Sequence, residues 1–349
     1  MPATSTTTAT LRLGVIGVGR IGRMHADILA RQVPGAALTV VHDAHAPSAR
    51  DAAESLGVPA AEDLYDLLGA ADVDAVAICT STDTHADLIV AAAEAGKAIF
   101  CEKPVSLDLA EVDRALGAVA TAGVPFQIGF NRRFDAAHSA VADAVASGRI
   151  GEPQIARISS RDPAPPPLSY VRVSGGIFLD MTIHDFDMAR FVTGSEVVEV
   201  YARGAVRVDP AFADAGDVDT AVITLVHENG CMTTIDNSRQ AVYGYDQRVE
   251  VFGSAGMAAS ENPPAYTALV RTKDGTSEPP LPYFYLDRYV PSYLAEWKAF
   301  VSAVSQGRTP PVTTADARAP LVIGLAAWRS VREGRPVRLE EVERCGSAA

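Results

Sequence analysis

The stretch LRLGVIGVGRIG, residues 11–22, restricts the fold more than any other part of the chain. A short apolar run ending in glycines suits a buried parallel strand, and the residues after it suit a helix. Gly17, Gly19 and Gly22 form G-x-G-x-x-G at the junction, and Asp43 closes the next apolar run, 21 residues beyond Gly22. Each position has a physical task. Gly17 makes the tight turn, Gly19 lets the backbone approach a pyrophosphate, and Gly22 lets helix and strand pack closely. Arg20 and Ile21 open the helix, whose free N–H groups and dipole favour an anion. An acid at position 43 accepts hydrogen bonds from a ribose 2′-hydroxyl and repels a 2′-phosphate, so NAD is expected rather than NADP. His42 and His45 flank Asp43 and soften that preference, since a protonated imidazole partly offsets the acid.

The pattern of the first turn continues. Apolar runs at 37–41, 74–79, 98–100 and 125–129 alternate with helical stretches at 48–56, 62–68, 83–95 and 107–120. Strands alternating with helices in this way indicate βαβ units and a parallel sheet, here over residues 10–130. Thr80 and Ser81 follow the run at 74–79 and offer small polar groups and backbone N–H groups to a ribose. His85 is a further candidate cofactor contact, with a packed or capping ring as the plainer alternative. The tetrapeptide Cys101-Glu102-Lys103-Pro104 ends the run at 98–100, at the sheet edge where ligands of open α/β sheets bind. A lysine there can hydrogen-bond a substrate hydroxyl and stabilise a developing alkoxide.

From about residue 150 the pattern changes to alternating strands at 155–160, 197–208, 220–227, 232–237, 248–252 and 267–272. Glu228-Asn229-Gly230 and Asp274-Gly275 sit at hairpin spacing. Residues 131–340 therefore read as a second, α+β domain around a large and mainly antiparallel open sheet, with helices again at 289–305 and 315–332. Inside it lies GGIFLDMTIHDFDMARF, residues 175–191, an apolar segment that holds Asp180, His184, Asp185 and Asp187. If helical, it turns Asp180 and His184 the same way. A carboxylate beside an imidazole fixes the tautomer and stabilises the protonated ring, which suits a general base; a solvated ion pair is the alternative.

With 43 acids against 30 bases, the net charge of −13 leaves no basic stripe for a nucleic acid. No run of 18 apolar residues suggests a membrane span. MPATSTTTAT lacks the charged and apolar regions of a signal peptide and reads as a frayed tail. Four scattered cysteines without a CxxC pair suit reduced thiols and a cytoplasmic location. There is no HExxH and no thiol pair at zinc spacing, so no metal site is expected.

The residues GVGRIG, CEKP and the D-x-x-x-H of 180–184 resemble the Gfo/Idh/MocA family of NAD(P)-dependent sugar and cyclitol oxidoreductases over roughly residues 10–335. SSRDPAPPP, NSRQAVYGYDQRVEVFGSAGM and PLPYFYLDRY resemble most nearly its inositol 2-dehydrogenase branch. The resemblance implies a Rossmann domain followed by an α/β domain whose open sheet forms a dimer or tetramer interface. It also implies NAD-dependent oxidation of a ring hydroxyl of myo-inositol or a related cyclitol. In that scheme Lys103 contacts the reacting hydroxyl, His184 takes its proton and Asp180 orients the ring. Arg132, Arg161, Asp162 and Tyr245, with Asn237 and Trp297, are candidates for binding the polyol. The same chemistry on a pyranose or anhydrosugar stays open, as do transient oxidation and a non-catalytic dinucleotide sensor.

Overall fold

Five apolar runs of the first 130 residues pair as parallel strands: β1 (Leu11–Ile16), β2 (Ala36–His42), β3 (Ala75–Ile78), β4 (Ala98–Glu102) and β5 (Phe126–Gly129). Helices α1 (Arg20–Arg31), α2 (Ala46–Leu56), α3 (Leu64–Gly69), α4 (Thr82–Glu94) and α5 (Leu109–Ala122) connect them. The strand order is β2-β1-β3-β4-β5. The direction of winding reverses at β1 and β3, the point where such sheets bind ligands at their carboxyl edge. Every residue of β3 and β4 is buried, which is why these strands read as continuous apolar runs rather than alternating ones.

The computed structural model describes residues 10–346, so the tail expected over residues 1–9 lies outside the described residues, as do residues 347–349. The chain forms two units, one running to Phe130 and taking in Tyr293–Arg318, the other Asn131–Ser292 with the residues from Ala319. Tyr293–Arg318 thus belongs with the first unit although it falls inside the 131–340 interval read above as one domain. No helix among the described residues is long and apolar enough to cross a membrane. Cys79, Cys101 and Cys231 are buried free thiols.

The second unit is built on a seven-stranded sheet. Its strands are β6 (Pro153–Arg161), β7 (Val197–Ala205), β8 (Thr220–His227), β9 (Met232–Ser238), β10 (Asp246–Gly253), β11 (Gly256–Ser260) and, after the two-stranded hairpin β12 (Val270–Thr272) and β13 (Gly275–Ser277), β14 (Val337–Arg338). The order is β11-β10-β6-β9-β8-β7-β14. The pairs are antiparallel except for β6 and β9, which run parallel. The helices of this part are α6 (Ala136–Ala146), α7 (Leu168–Val171), α8 (Gly176–Asp180), α9 (Ile183–Thr193) and α10 (Ala211–Asp214). α11 (Tyr285–Ser305) and α12 (Thr314–Glu333) are divided between the units, and α13 (Leu339–Gly346) ends the described chain.

Alternation decides the two faces of this sheet. Ala156, Ile158, Ile223, Leu225, Ile235, Val249 and Val251 lie in one core with Val141 of α6 and Phe186, Ala189 and Val192 of α9. Full burial of such a side chain contributes about 1.5–3 kcal/mol. The opposite face is open: Val222, Met232, Phe252 and Met257 are 58%, 47%, 46% and 52% exposed.

Polar contacts pin α9 to the covered face. The Asn237 amide donates to Asp185 Oδ2 at 2.8 Å, and Arg132 Nη1 donates to Asp185 Oδ1 at 2.7 Å. Burial pushes the Asp185 carboxyl up to about 6, against the opposing pull of Arg132 and Asn237. The folded value therefore lies above the ordinary 3.8, and the folded state holds the extra proton. That stabilisation is complete below about pH 4 and is lost as pH rises through about 6. Relative to an Asp185→Asn variant, the native chain should lose about 2–3 kcal/mol of unfolding free energy between these limits. Urea unfolding at pH 4.5 and 7.5 measures this; a difference between the two proteins that does not change with pH would contradict it.

Candidate active site

The glycine loop leaves β1 and enters α1. Gly17 has φ 88°, and a Cβ there would stand 2.8 Å from the backbone of Cys79 and Thr80. A Cβ on Gly22 would stand 1.9 Å from the carbonyl oxygen of Gly17, so the helix closes on its own entry turn. At Gly19 a Cβ would meet nothing within 4 Å. Gly19 is also the N-cap of α1, and no side chain caps the helix there. Open space in front of uncapped N–H groups is the arrangement a pyrophosphate requires. Asp43 ties this loop down: its Oδ2 accepts from Val18 N and its Oδ1 from His45 N, both at 2.8 Å. Each carboxylate oxygen keeps a second lone pair for a ribose hydroxyl. His42 and His45 turn their Nδ1 atoms to Ala61 O and Ser48 Oγ.

Thr80 and Ser81 follow β3, and Ser81 is the N-cap of α4 without a side-chain cap. His85 is fully buried, with Nδ1 2.8 Å from Pro104 O and Nε2 3.1 Å from Thr80 O. A neutral ring donates to one of these carbonyls only, and burial lowers its pKa despite the pull of both. Its ring therefore braces the Thr80 and Pro104 loops. Gly17, Gly19, Arg20, Ile21, Gly22, Asp43, Thr80, Ser81, Glu102 and Lys103 all lie at the carboxyl ends of β1 to β4.

Lys103 follows β4, and the Lys103–Pro104 peptide is cis. Its backbone N–H donates to Glu102 Oε2 at 3.3 Å. Glu102 Oε1 is in turn 2.7 Å from Nε2 of the buried His25, whose Nδ1 accepts from Trp297 Nε1 at 2.8 Å. Indole N–H can only donate, so His25 carries its proton on Nε2 and gives it to Glu102. Trp297, a candidate polyol contact in the sequence, is fully buried here and packs on Phe100 with ring centroids 4.2 Å apart. It is a core residue that braces the Lys103 turn, because its helix face points inward.

In the second unit GGIFLDMTIHDFDMARF forms two helices. Asp180 ends α8, Met181 and Thr182 make the break, and His184 stands in the first turn of α9. Asp217 Oδ1 accepts from Ile177 N at 3.0 Å at the start of α8. The break is fixed by Thr182 Oγ1, which donates to Asn237 Oδ1 at 2.6 Å. Asn237 thus holds both the break, at Thr182, and the first turn of α9, at Asp185. Asp180 Oδ1 accepts from Tyr170 Oη at 2.7 Å, and Asp180 Oδ2 is 2.9 Å from Arg239 Nη1. Asp162 Oδ2 lies 3.6 Å from the same nitrogen. Burial raises the Asp162 pKa, Arg239 opposes this, and Asp180 adds to it.

The remaining candidates divide. Arg132 is buried, bound to Asp185, Ser160 and Tyr245 Oη. Tyr245 is buried with it, its ring edge-on to Tyr289 at 5.9 Å. Arg161 lies on the other face of β6 from Ser160. It follows Ser159 on the open face, with Nε 2.7 Å from Asp236 Oδ1 and Nη1 2.9 Å from Tyr243 Oη. Ser160, one residue earlier, faces the covered side with Gln247 and Arg132. One step of strand parity turns Arg161 away from Asp185 and Asn237. Arg239 and Tyr170 carried no signal of their own in the sequence, although both stand in or beside motifs shared with the inositol branch. Asp187 pairs with Arg133 at 2.6 Å and lies 3.8 Å from Arg190.

Comparison with known proteins agrees with this geometry. Residues 11–130 match the oxidoreductase family with an NAD-binding Rossmann fold, and residues 138–259 match the GFO/IDH/MocA C-terminal domain. The chain is 50% identical to a myo-inositol 2-dehydrogenase of Thermotoga maritima, covering 95% of this chain and 99% of that one. It is 46% identical to an inositol 2-dehydrogenase of Rhizobium meliloti, with 95% and 99% covered. The crystal structure of scyllo-inositol dehydrogenase from Lactobacillus casei with bound NAD(H) and scyllo-inositol is similar with a TM-score of 0.88 at 30% identity, over 95% of this chain and 99% of that one. By these matches over almost its full length, the chain belongs to the Gfo/Idh/MocA family of oxidoreductases.

Proposed function

We propose that this chain is an NAD-dependent dehydrogenase that oxidises a ring secondary hydroxyl of myo-inositol, or of a related cyclitol, to the ketone. The observation that carries the substrate is the 50% identity, over 95% of the chain, to a myo-inositol 2-dehydrogenase. The fit of the dinucleotide is supported by the uncapped, sterically open α1 N-terminus at Gly19. Asp43 supports NAD over NADP, because a carboxylate repels a 2′-phosphate.

NAD, when bound, supplies the acceptor for the hydride of the reacting C–H bond. The chain manages the proton. In this reading His184 takes the hydroxyl proton on an imidazole nitrogen, and Asp180 orients the ring and stabilises the imidazolium. Lys103 donates to the same oxygen as charge develops on it, a role assigned by the resemblance of its Glu-Lys-Pro motif. The Trp297–His25–Glu102 chain fixes the backbone that carries Lys103. Asp162, whose side chain is 25% exposed, is the carboxylate offered to polyol hydroxyls.

The open sheet face is the proposed meeting surface of a dimer or tetramer. Strand register lines up Met257, Phe252, Ile155, Met232 and Val226 in one cross-strand row. Buried free thiols support a cytoplasmic setting.

Formation of NADH at 340 nm across inositols, glucose, xylose and levoglucosan tests the substrate. Turnover on an inositol is expected; activity confined to a pyranose or anhydrosugar would overturn the cyclitol assignment. His184→Ala should lower kcat by about 10²–10⁴ while leaving NAD affinity within about twofold. Loss of NAD binding instead would refute the base assignment. Phe252→Asp with Met232→Asp should reduce the mass in solution measured by light scattering. An unchanged oligomer would move the interface elsewhere.

A further inference from the structure

Arg239 is buried just beyond β9, its backbone N–H bound to Asp219 O at 2.8 Å. Its guanidinium stands against Asp180 and Asp162, with Nη1 2.9 Å and 3.6 Å from their Oδ2 atoms. Among the described residues, Nε and Nη2 have no hydrogen-bond partner although they are buried. A buried guanidinium that leaves donors unmade is costly to hold. A core designed for stability alone would use an apolar side chain there. What the cation does achieve is local. Three carboxylates, Asp180, Asp162 and Asp217, interact with Arg239. Asp162 and Asp180 repel one another, and a cation beside them lets both stay ionised.

We propose that Arg239 is a positioning residue for the proton-accepting pair: it fixes the Asp180 carboxylate, and through it the catalytic orientation of His184. The inference rests on the reading of Asp180 and His184 given above. The Asp180 carboxylate is held from both oxygens, Oδ2 by Arg239 and Oδ1 by the Tyr170 hydroxyl. Two donors define its plane, where one would leave it free to rotate. Tyr170 comes from α7, which follows the Pro163–Pro167 loop, so loop and strand edge clamp one carboxylate. Loss of the cation leaves Asp180 beside Asp162 without the guanidinium that contacts both, and the carboxylate turns away or takes up a proton.

The test uses the full-length chain with NAD and myo-inositol. Arg239→Ala should lower kcat by about 10²–10³, with the Kd for NADH, read by fluorescence, within about twofold of the native value. Added guanidinium at millimolar concentration should restore about tenfold of the lost rate. Arg239→Lys keeps the charge without the fork and should fall between the two. Tyr170→Phe removes the second donor and provides an independent variant if Arg239→Ala fails to fold. It should lower kcat by about tenfold with the KM for NAD unchanged. A merely structural Arg239 would lower activity only in step with the number of NADH sites, with no rescue by guanidinium. That result, or a Tyr170→Phe enzyme with native kcat, overturns the proposal. His184→Ala assayed alongside separates the two claims. If it keeps its rate, the base assignment itself fails; if it collapses while the Arg239 variants do not, only the present inference fails.

Discussion

One side-chain amide holds the proposed proton-accepting segment in place. Asn237 accepts from Thr182 through Oδ1 and donates to Asp185 through Nδ2. These contacts fix the two-residue break between α8 and α9 on the covered face of the seven-stranded sheet. The break sets where Asp180 and His184 stand, and a shift of about 1 Å at such a pair can cost about 10² in rate. The amide reaches both Thr182 and Asp185 because β9 pairs in register with β6, which puts Asn237 opposite Ser160. A slip of one residue would turn Asn237 outward and Asp236 inward. The register of the parallel β6–β9 pair is therefore a condition for the proposed chemistry.

Buried charge follows the same logic. Arg132 and Asp185 form a buried ion pair under α9, and Arg239 faces Asp180 and Asp162 at the end of β9. Such pairs seldom add net stability over apolar packing of equal volume. Here they give directional contacts to a corner that Met181, Ile183 and Phe186 alone would only bury. In the first unit an analogous role falls to a hydrogen-bonded chain. Trp297, His25 and Glu102 form a chain in which each donor and acceptor is determined, ending on the backbone of Lys103.

The sequence disclosed the first unit well, because its function depends on local spacing. Gly17, Gly19, Gly22 and Asp43 occupy the positions their pattern implies, since a tight turn and a helix entry are made by neighbours in the chain. The second unit was less legible, because its site depends on parity and long-range packing. Arg161 belongs to a motif shared with inositol dehydrogenases, yet the sequence could not tell which face of β6 is covered, and it lies on the open one. Trp297 is a candidate polyol contact in the sequence, but it is fully buried against Phe100 and His25, which lie far away in the sequence. Arg239 has no motif of its own; only the fold brings it to Asp180. Residues 175–191 form two helices rather than one, because Thr182 gives its hydroxyl to the sheet.

In the proposed reaction a carbon-bound hydrogen of the inositol ring leaves as hydride for NAD while the chain takes the hydroxyl proton. Myo-inositol carrying deuterium on every ring carbon tests it most directly, with the reduced dinucleotide analysed by mass spectrometry. One deuterium per NADH formed is expected, with a lower kcat/KM than for unlabelled inositol. Consumption of inositol with no deuterium in the dinucleotide, or bound NAD with no reaction of any inositol, would contradict it.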